Sequence, residues 1–182
     1  TFVGFIWLGV GIFVLFKQGS RSPFVLHFAI ICLAAFVFHV YRPFGLGKDF
    51  DLAVSILDDI AFALFVPLFL HFCLRYPVRS EVFDEKPWKT YALYVPAVLI
   101  SIASLSLSLY FYLIPQDAIV AQISALISIY DLFEVLYISS FYHFVSGIWV
   151  GAGILLWRFF KKGQQAIIRQ RLKWAMWGTI TA

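Results

Sequence analysis

Charge is scarce in this chain: only 13% of its 182 residues are Asp, Glu, Lys or Arg, against 62% hydrophobic and 20% aromatic residues. A soluble domain of this length would carry about a quarter charged residues. The apolar excess lies in long runs, which excludes a soluble globular fold and points to an integral, helical membrane protein. Cysteine is nearly absent: Cys32 and Cys73 both sit inside apolar runs, so an extracellular disulfide framework is excluded. Also missing are a phosphate-binding glycine loop, a nucleophile elbow, paired carboxylates at an open cleft, any internal repeat and any low-complexity segment. Nothing in these residues builds an enzyme active site. The first run, TFVGFIWLGVGIFVLF, has no basic leader and no small-residue cleavage site, which argues against a signal peptide.

What is present is a series of apolar segments of membrane-spanning length. They predict an all-α polytopic transmembrane bundle forming one domain over 1–182, with five to six spanning helices. Their expected positions are 1–16, 23–41, 52–75, 91–113, 135–158 and 172–182, the first and last truncated. Each complete run has about the 20 residues needed to cross about 30 Å of hydrocarbon. The opening on Thr1 and the short closing run RLKWAMWGTITA are what a piece of a longer chain would show. Residues 118–134, AIVAQISALISIYDLFE, are less clear. Joined to the next helix they would span about 60 Å, too long for a single crossing. Ser124, Ser128, Asp131 and Glu134 fall within about 120° on a helical wheel, so a separate interfacial helix is expected there.

The net charge of +4 could suggest nucleic acid, but the cations lie between apolar runs, where a topology signal belongs. Of the 14 Lys and Arg, all but Arg42 and Lys48 fall in the three stretches 17–23, 75–90 and 158–173. Alternating helices put those stretches on one side. The positive-inside rule makes that side cytoplasmic and the start of the chain external. The lipid bilayer is thus the implied partner, nucleic acid is not, and a homodimer or larger membrane assembly is expected.

Ionisable residues within such spans are costly, so each is a candidate for function or pairing. Asp58 and Asp59 lie about two turns from the outer end of the third helix, and His39 and Arg42 close the second at a similar depth. Glu134 and His143 on the outward half of the fifth could join them. This gives an outer polar pocket for a ligand, a proton or an ion, with structural cross-linking of helices as the plainer alternative. Near the cytoplasmic side, FLHFCLRYP (69–77) ends the third helix: Arg75 anchors at phosphate level, Tyr76 joins the aromatic belt and Pro77 stops the helix, with His71 on Arg75's face. Pro67 predicts a kink. The histidines fall at two levels, His27 with His71 and His39 with His143. That raises an alternative in which they ligate haem or a chlorophyll-type pigment in an accessory subunit of an energy-converting or photosynthetic complex. Gly147, Gly151 and Gly153 read more simply as a close-packing face. No metal site follows from Cys32 or Cys73, which lack local partners.

Two stretches carry a family resemblance. His71, Phe72, Leu74, Tyr76 and Pro77, then Arg169, Gln170, Leu172 and Trp174 of RQRLKWAMWG, resemble the membrane domain of bacterial multi-helix sensor histidine kinases and their phosphatase and cyclase relatives. The competence quorum-sensing kinase of bacilli belongs to that family. The resemblance implies a seven- or eight-helix membrane region in the bacterial inner membrane, an external N-terminal domain, and a cytoplasmic kinase or phosphatase output beyond Ala182. It therefore implies sensing and signal transmission here, without catalysis.

Overall fold

A computed structural model of the chain describes residues 2–18, 23–40, 47–76, 88–113 and 123–162, with 170 and 173 as isolated positions. Among these, every residue except Gly47, Tyr76, Leu93 and Tyr94 is helical. The elements are α1 (Phe2–Gln18), α2 (Pro23–Val40), α3 (Lys48–Arg75), the short α4 (Trp88–Ala92), α5 (Val95–Leu113) and α6 (Ile123–Lys162). The expected all-α bundle is what the chain forms. The truncated last helix expected over 172–182 lies outside the described residues, Lys173 apart.

Local chemistry sets the boundaries. Pro23 opens α2, a position where its missing N–H costs nothing. Gly47 precedes α3 at φ 152° and ψ 151°, a conformation that only glycine adopts freely, and its carbonyl accepts the Asp51 N–H at 2.9 Å. Asp49 and Asp51 sit in the first turn of α3, where the helix dipole favours them, so the helix starts four residues before its apolar run. At the other end Tyr76 is extended (φ −95°, ψ 144°), as a residue preceding proline is pushed to be.

Two boundaries differ from those the apolar runs predict. The helix expected over 91–113 breaks after Ala92. Pro96 cannot donate to the Ala92 carbonyl and its ring crowds it, so the chain turns through Leu93 and Tyr94, with Tyr94 N–H bonded to the Tyr91 carbonyl at 2.9 Å. Of the interfacial helix expected over 118–134, residues 118–122 lie outside the described residues, and the rest is not a separate element. From Ile123 onward it runs unbroken into the membrane segment, making α6 a single 40-residue helix of about 60 Å.

Side-chain contacts define the arrangement. Gly4 meets Val40 and Gly11 meets Cys32, so α1 and α2 are antiparallel. Phe38 packs on Phe62 and His27 reaches Leu68, so α2 and α3 are antiparallel. Ser104 meets Asp59 and Tyr94 meets His71, so α5 also opposes α3. Gly147 meets Val66, Gly151 meets Phe69 and Arg158 meets Cys73, so α6 runs parallel to α3. Helix α3 is thus central, with α2, α5 and α6 around it and α1 packed on α2. In this register the first turn of α3 is level with roughly residue 130 of α6, and Ile123 lies about 10 Å beyond.

The core is built from small residues and aromatic rings. Ala34, Ala35 and Ala61 are buried with Ile31 and Phe65. Phe38, Phe62, Phe65 and Phe144 join α2, α3 and α6, with the Phe62 and Phe144 rings stacked at 4.7 Å. Large apolar side chains cover the outside: Phe16, Leu113, Trp149 and Phe160 are all more than 70% exposed. Such a surface is untenable in water and suits lipid. Among the described residues, four segments are long and apolar enough to cross a membrane, Pro23–Val40, Asp49–Arg75, Trp88–Tyr110 and Glu134–Phe160, and Phe2–Lys17 is a shorter apolar helix. This is a membrane protein.

Where lipid is as apolar as the side chains, helices associate by close fit and polar contacts. A Cβ at Gly147 would stand 2.2 Å from Val66 Cγ1, and one at Gly151 2.3 Å from the Phe69 ring. The expected glycine face therefore holds for Gly147 and Gly151, one turn apart. Gly153 has nothing within 4 Å and does not belong to it. Val66 is buried and β-branched, so it cannot swing aside. Gly147→Ala should therefore destabilise the bundle by about 1–3 kcal/mol. Gly153→Ala should gain up to about 1 kcal/mol through helix propensity. Reversible unfolding in mixed micelles measures both, and equal effects at the two sites would refute the assigned packing.

Candidate functional site

Polar groups gather at two levels of α3, on either side of Pro67. The upper level lies between α3 and α5. Ser104 Oγ donates to Asp59 Oδ2 at 2.6 Å. Asp58 Oδ1 and Ser101 Oγ are buried without hydrogen-bond partners. Further along the same interface Tyr112 O–H donates to Asp49 Oδ1. Tyr112 lies just beyond the apolar span, and this hydrogen bond to Asp49, together with the carboxylate's charge, pushes its phenol pKa upward. Ser101, Ser104, Ser108 and Tyr112 follow one another at steps of three and four, so they share one face of α5.

The other candidates do not converge on this pair. His39 donates from Nδ1 to the Ala35 carbonyl of its own helix at 2.8 Å and stacks at a tilt on Phe38. Among the described residues His39 makes no bond to either carboxylate, and Asp59 is bonded to Ser104 instead. Glu134 is exposed on α6. His143 is half-buried, with Nε2 lacking a hydrogen-bond partner. Arg42 lies outside the described residues.

The lower level is the FLHFCLRYP end of α3. Pro77 has no N–H, so the Cys73 carbonyl loses its in-helix donor, and the Leu74 carbonyl lies past the last turn as well. Arg158 of α6 supplies what is missing. Its Nη1 donates to the Cys73 and Leu74 carbonyls at 2.7 Å each, and the residue is only 3% exposed. A guanidinium is well suited to this place, at the negative end of the α3 dipole. Leu155 and Cys73 pack beneath it.

Beside this cap, His71 Nδ1 and the Tyr94 hydroxyl are hydrogen-bonded at 3.0 Å, and His27 Nε2 donates to the Leu68 carbonyl at 2.9 Å. The His27 and His71 rings meet edge to face with centroids 4.7 Å apart. In this arrangement each ring fills the space that a macrocycle between two axial imidazoles would need. Tyr76 stacks on Phe72 at 4.8 Å. Of the remaining motif residues, Gln170 is an exposed helical position, while Pro77, Arg169 and Trp174 lie outside the described residues. Cys32 and Cys73 are both buried free thiols.

Sequence reasoning misses Arg158 and the α5 hydroxyls. Arg158 reads as one more topological cation, and the serines read as tolerated small residues. The signals were available: a proline-terminated helix that needs a donor, and a hydroxyl every three or four positions.

Arg158→Met should cost roughly 2–4 kcal/mol, since it leaves two buried carbonyls unpaired, and Arg158→Lys should restore part of that loss. Ser104→Ala should cost about 1–3 kcal/mol by stripping a half-buried carboxylate oxygen of its donor. Ser106→Ala should be near neutral, because that hydroxyl bonds only the Ile102 carbonyl of its own helix. Unfolding in mixed micelles ranks the four variants; a Ser106→Ala loss as large as that of Ser104→Ala would refute the assigned role of Ser104. Comparison of the chain with family models, with curated proteins and with solved structures finds no match in any of the three.

Proposed function

We propose that this chain is the sensing and signal-transmitting membrane domain of a bacterial sensor protein. In this reading it lies in the inner membrane with its basic end in the cytoplasm, and catalysis resides in another part of the protein. The observation that carries the reading is the layout of α3. One helix bears a carboxylate pair incompletely satisfied by hydrogen bonds, then a proline, then a terminus clamped by Arg158 of α6. A group binding at Asp58 or Asp59 alters the α3–α5 contact through Ser104. Because Pro67 removes the in-helix donor for the Ala63 carbonyl, the two halves of α3 can pivot there. The lower half cannot move without taking α6 along, since Arg158 is bonded to its final carbonyls.

This is a two-arrangement element biased from one end and read at the other, which is what membrane signalling requires. The bias of basic residues toward the lower end supports the orientation. The resemblance of the FLHFCLRYP and RQRLKWAMWG stretches to the multi-helix sensor kinases supports the assignment to signalling.

The test follows a displacement. Spin labels replace Trp88 and Phe160, both exposed at the basic end, while the buried native thiols stay unlabelled. In lipid nanodiscs, Asp58→Asn/Asp59→Asn should shift the distance between the labels by about 1–2 Å, the size of a helix-shift transition. An unchanged distance in a variant that folds normally would remove the relay and this function with it.

A further inference from the structure

Apart from the carboxylates, the described residues form a cavity at the basic end, between the start of α2 and the end of α3. It encloses about 120 Å³ and is lined by Pro23, Phe24, His27, His71, Phe72 and Arg75. That is room for several waters or for one tetrahedral oxyanion. Among the described residues, no acidic side chain lines it.

Three donor systems meet here. Arg75 Nε is buried without a hydrogen-bond partner. His71 Nε2 is likewise buried and unpartnered, while its Nδ1 is engaged by Tyr94. When Nδ1 accepts from the Tyr94 hydroxyl, the ring proton resides on Nε2, leaving that nitrogen as a donor. The third system is the first turn of α2, which begins at Pro23 with its dipole's positive end at the cavity. His27 is held in place by its bond to the Leu68 carbonyl and buttresses His71 from the side. Leaving a guanidinium nitrogen and an imidazole nitrogen without acceptors in a half-buried site is costly, and an oxyanion relieves both at once.

Depth selects the anion. Pro23 and Arg75 mark the ends of two apolar spans, Pro23–Val40 and Asp49–Arg75, so the cavity opens at the level of lipid phosphates. We propose that this cavity is a phosphate-binding site at the membrane surface, with Arg75 and His71 as its ligands and the first turn of α2 completing the cradle. The phosphate comes from an anionic phospholipid headgroup or from free phosphate in the adjoining water. The site is independent of the sensing role of Asp58 and Asp59.

The test uses the side-chain nitrogen signals of the four histidines, recorded by ¹⁵N NMR on the whole chain in phosphatidylcholine nanodiscs. Phosphatidic acid, titrated into the discs, should shift His27 and His71 and leave His39 and His143 unmoved. Arg75→Gln should weaken the half-saturation point by about ten- to a hundredfold, the worth of one charge-assisted hydrogen bond. Arg75→Lys should recover part of it, and Lys89→Gln, which removes a cation that does not line the cavity, should leave it unchanged. Inorganic phosphate in the buffer separates the sources: an equal shift assigns the site to free phosphate, and a shift with phosphatidic acid alone assigns it to lipid. No shift with either probe overturns the proposal. So does an undiminished response in Arg75→Gln, or one equally strong at His39 and His143.

Discussion

Two hydrogen bonds from one guanidinium hold the terminus of the central helix. Helix α3 is in contact with α2, α5 and α6, so its position sets theirs. A proline after Tyr76 would by itself leave α3 ending in bare carbonyls at the edge of hydrocarbon, where water is too scarce to satisfy them. Arg158 resolves two difficulties together. Its charge would be expensive in that environment without acceptors, and the Cys73 and Leu74 carbonyls would be expensive without donors. Each deficit is removed by the other, and the requirement for both fixes the rotation and height of α6 against α3. The Gly147 and Gly151 contacts then follow, because only that register brings them to Val66 and Phe69.

The same logic of mutual need runs through the other polar contacts. Asp59 takes a hydroxyl from α5, Tyr112 gives one to Asp49, and Tyr94 engages His71. Along its length α5 is tied to α3 by polar pairs, whereas α2 meets it mainly through alanines and phenylalanine rings, and α6 through glycines above the Arg158 clamp. Polar contacts are directional and tolerate few alternatives, while packed rings allow small sliding. The α3–α5 seam is therefore where a change in charge has the most leverage, and the α2 face is where the resulting movement can be absorbed.

Much of the fold is legible in the residues themselves. The second and third spans are visible as apolar runs, and their boundaries differ from the structure by only a few residues. The start of α3 extends into Lys48, Asp49 and Asp51, since a charged first turn is compatible with a helix though not with an apolar window. The break before Val95 is written in Pro96, which lies inside an otherwise uniform run and is masked by its hydropathy. Length alone misleads at 118–134, because a helix need not stop where the hydrocarbon does. The site is less legible. Depth places His39 near Asp59, but helical phase decides whether side chains meet, and phase depends on how α2 turns to pack Ala34 and Ala35. That Cys73 lacks a donor can be read from Pro77, yet which cation supplies one depends on a register between segments 85 positions apart. The paired histidines His27 and His71 are correctly placed at one level by sequence; their direct contact is a product of α2–α3 packing.

The length of α6 turns a small motion into a large one. Its tight glycine contacts with α3 lie at Gly147 and Gly151, well off centre in a helix that runs from Ile123 to Lys162. If the helix rocks about that point as a rigid rod, the arm toward Ile123 is about 39 Å long and the arm toward Lys162 about 20 Å. A tilt of about 5° then carries the far tip through roughly 3 Å while the near end travels about half as far. Such unequal arms make the helix a mechanical amplifier: a modest push where α3 holds Arg158 becomes a sweep at the opposite tip, and a load applied to that tip returns to the clamp with about three times its force.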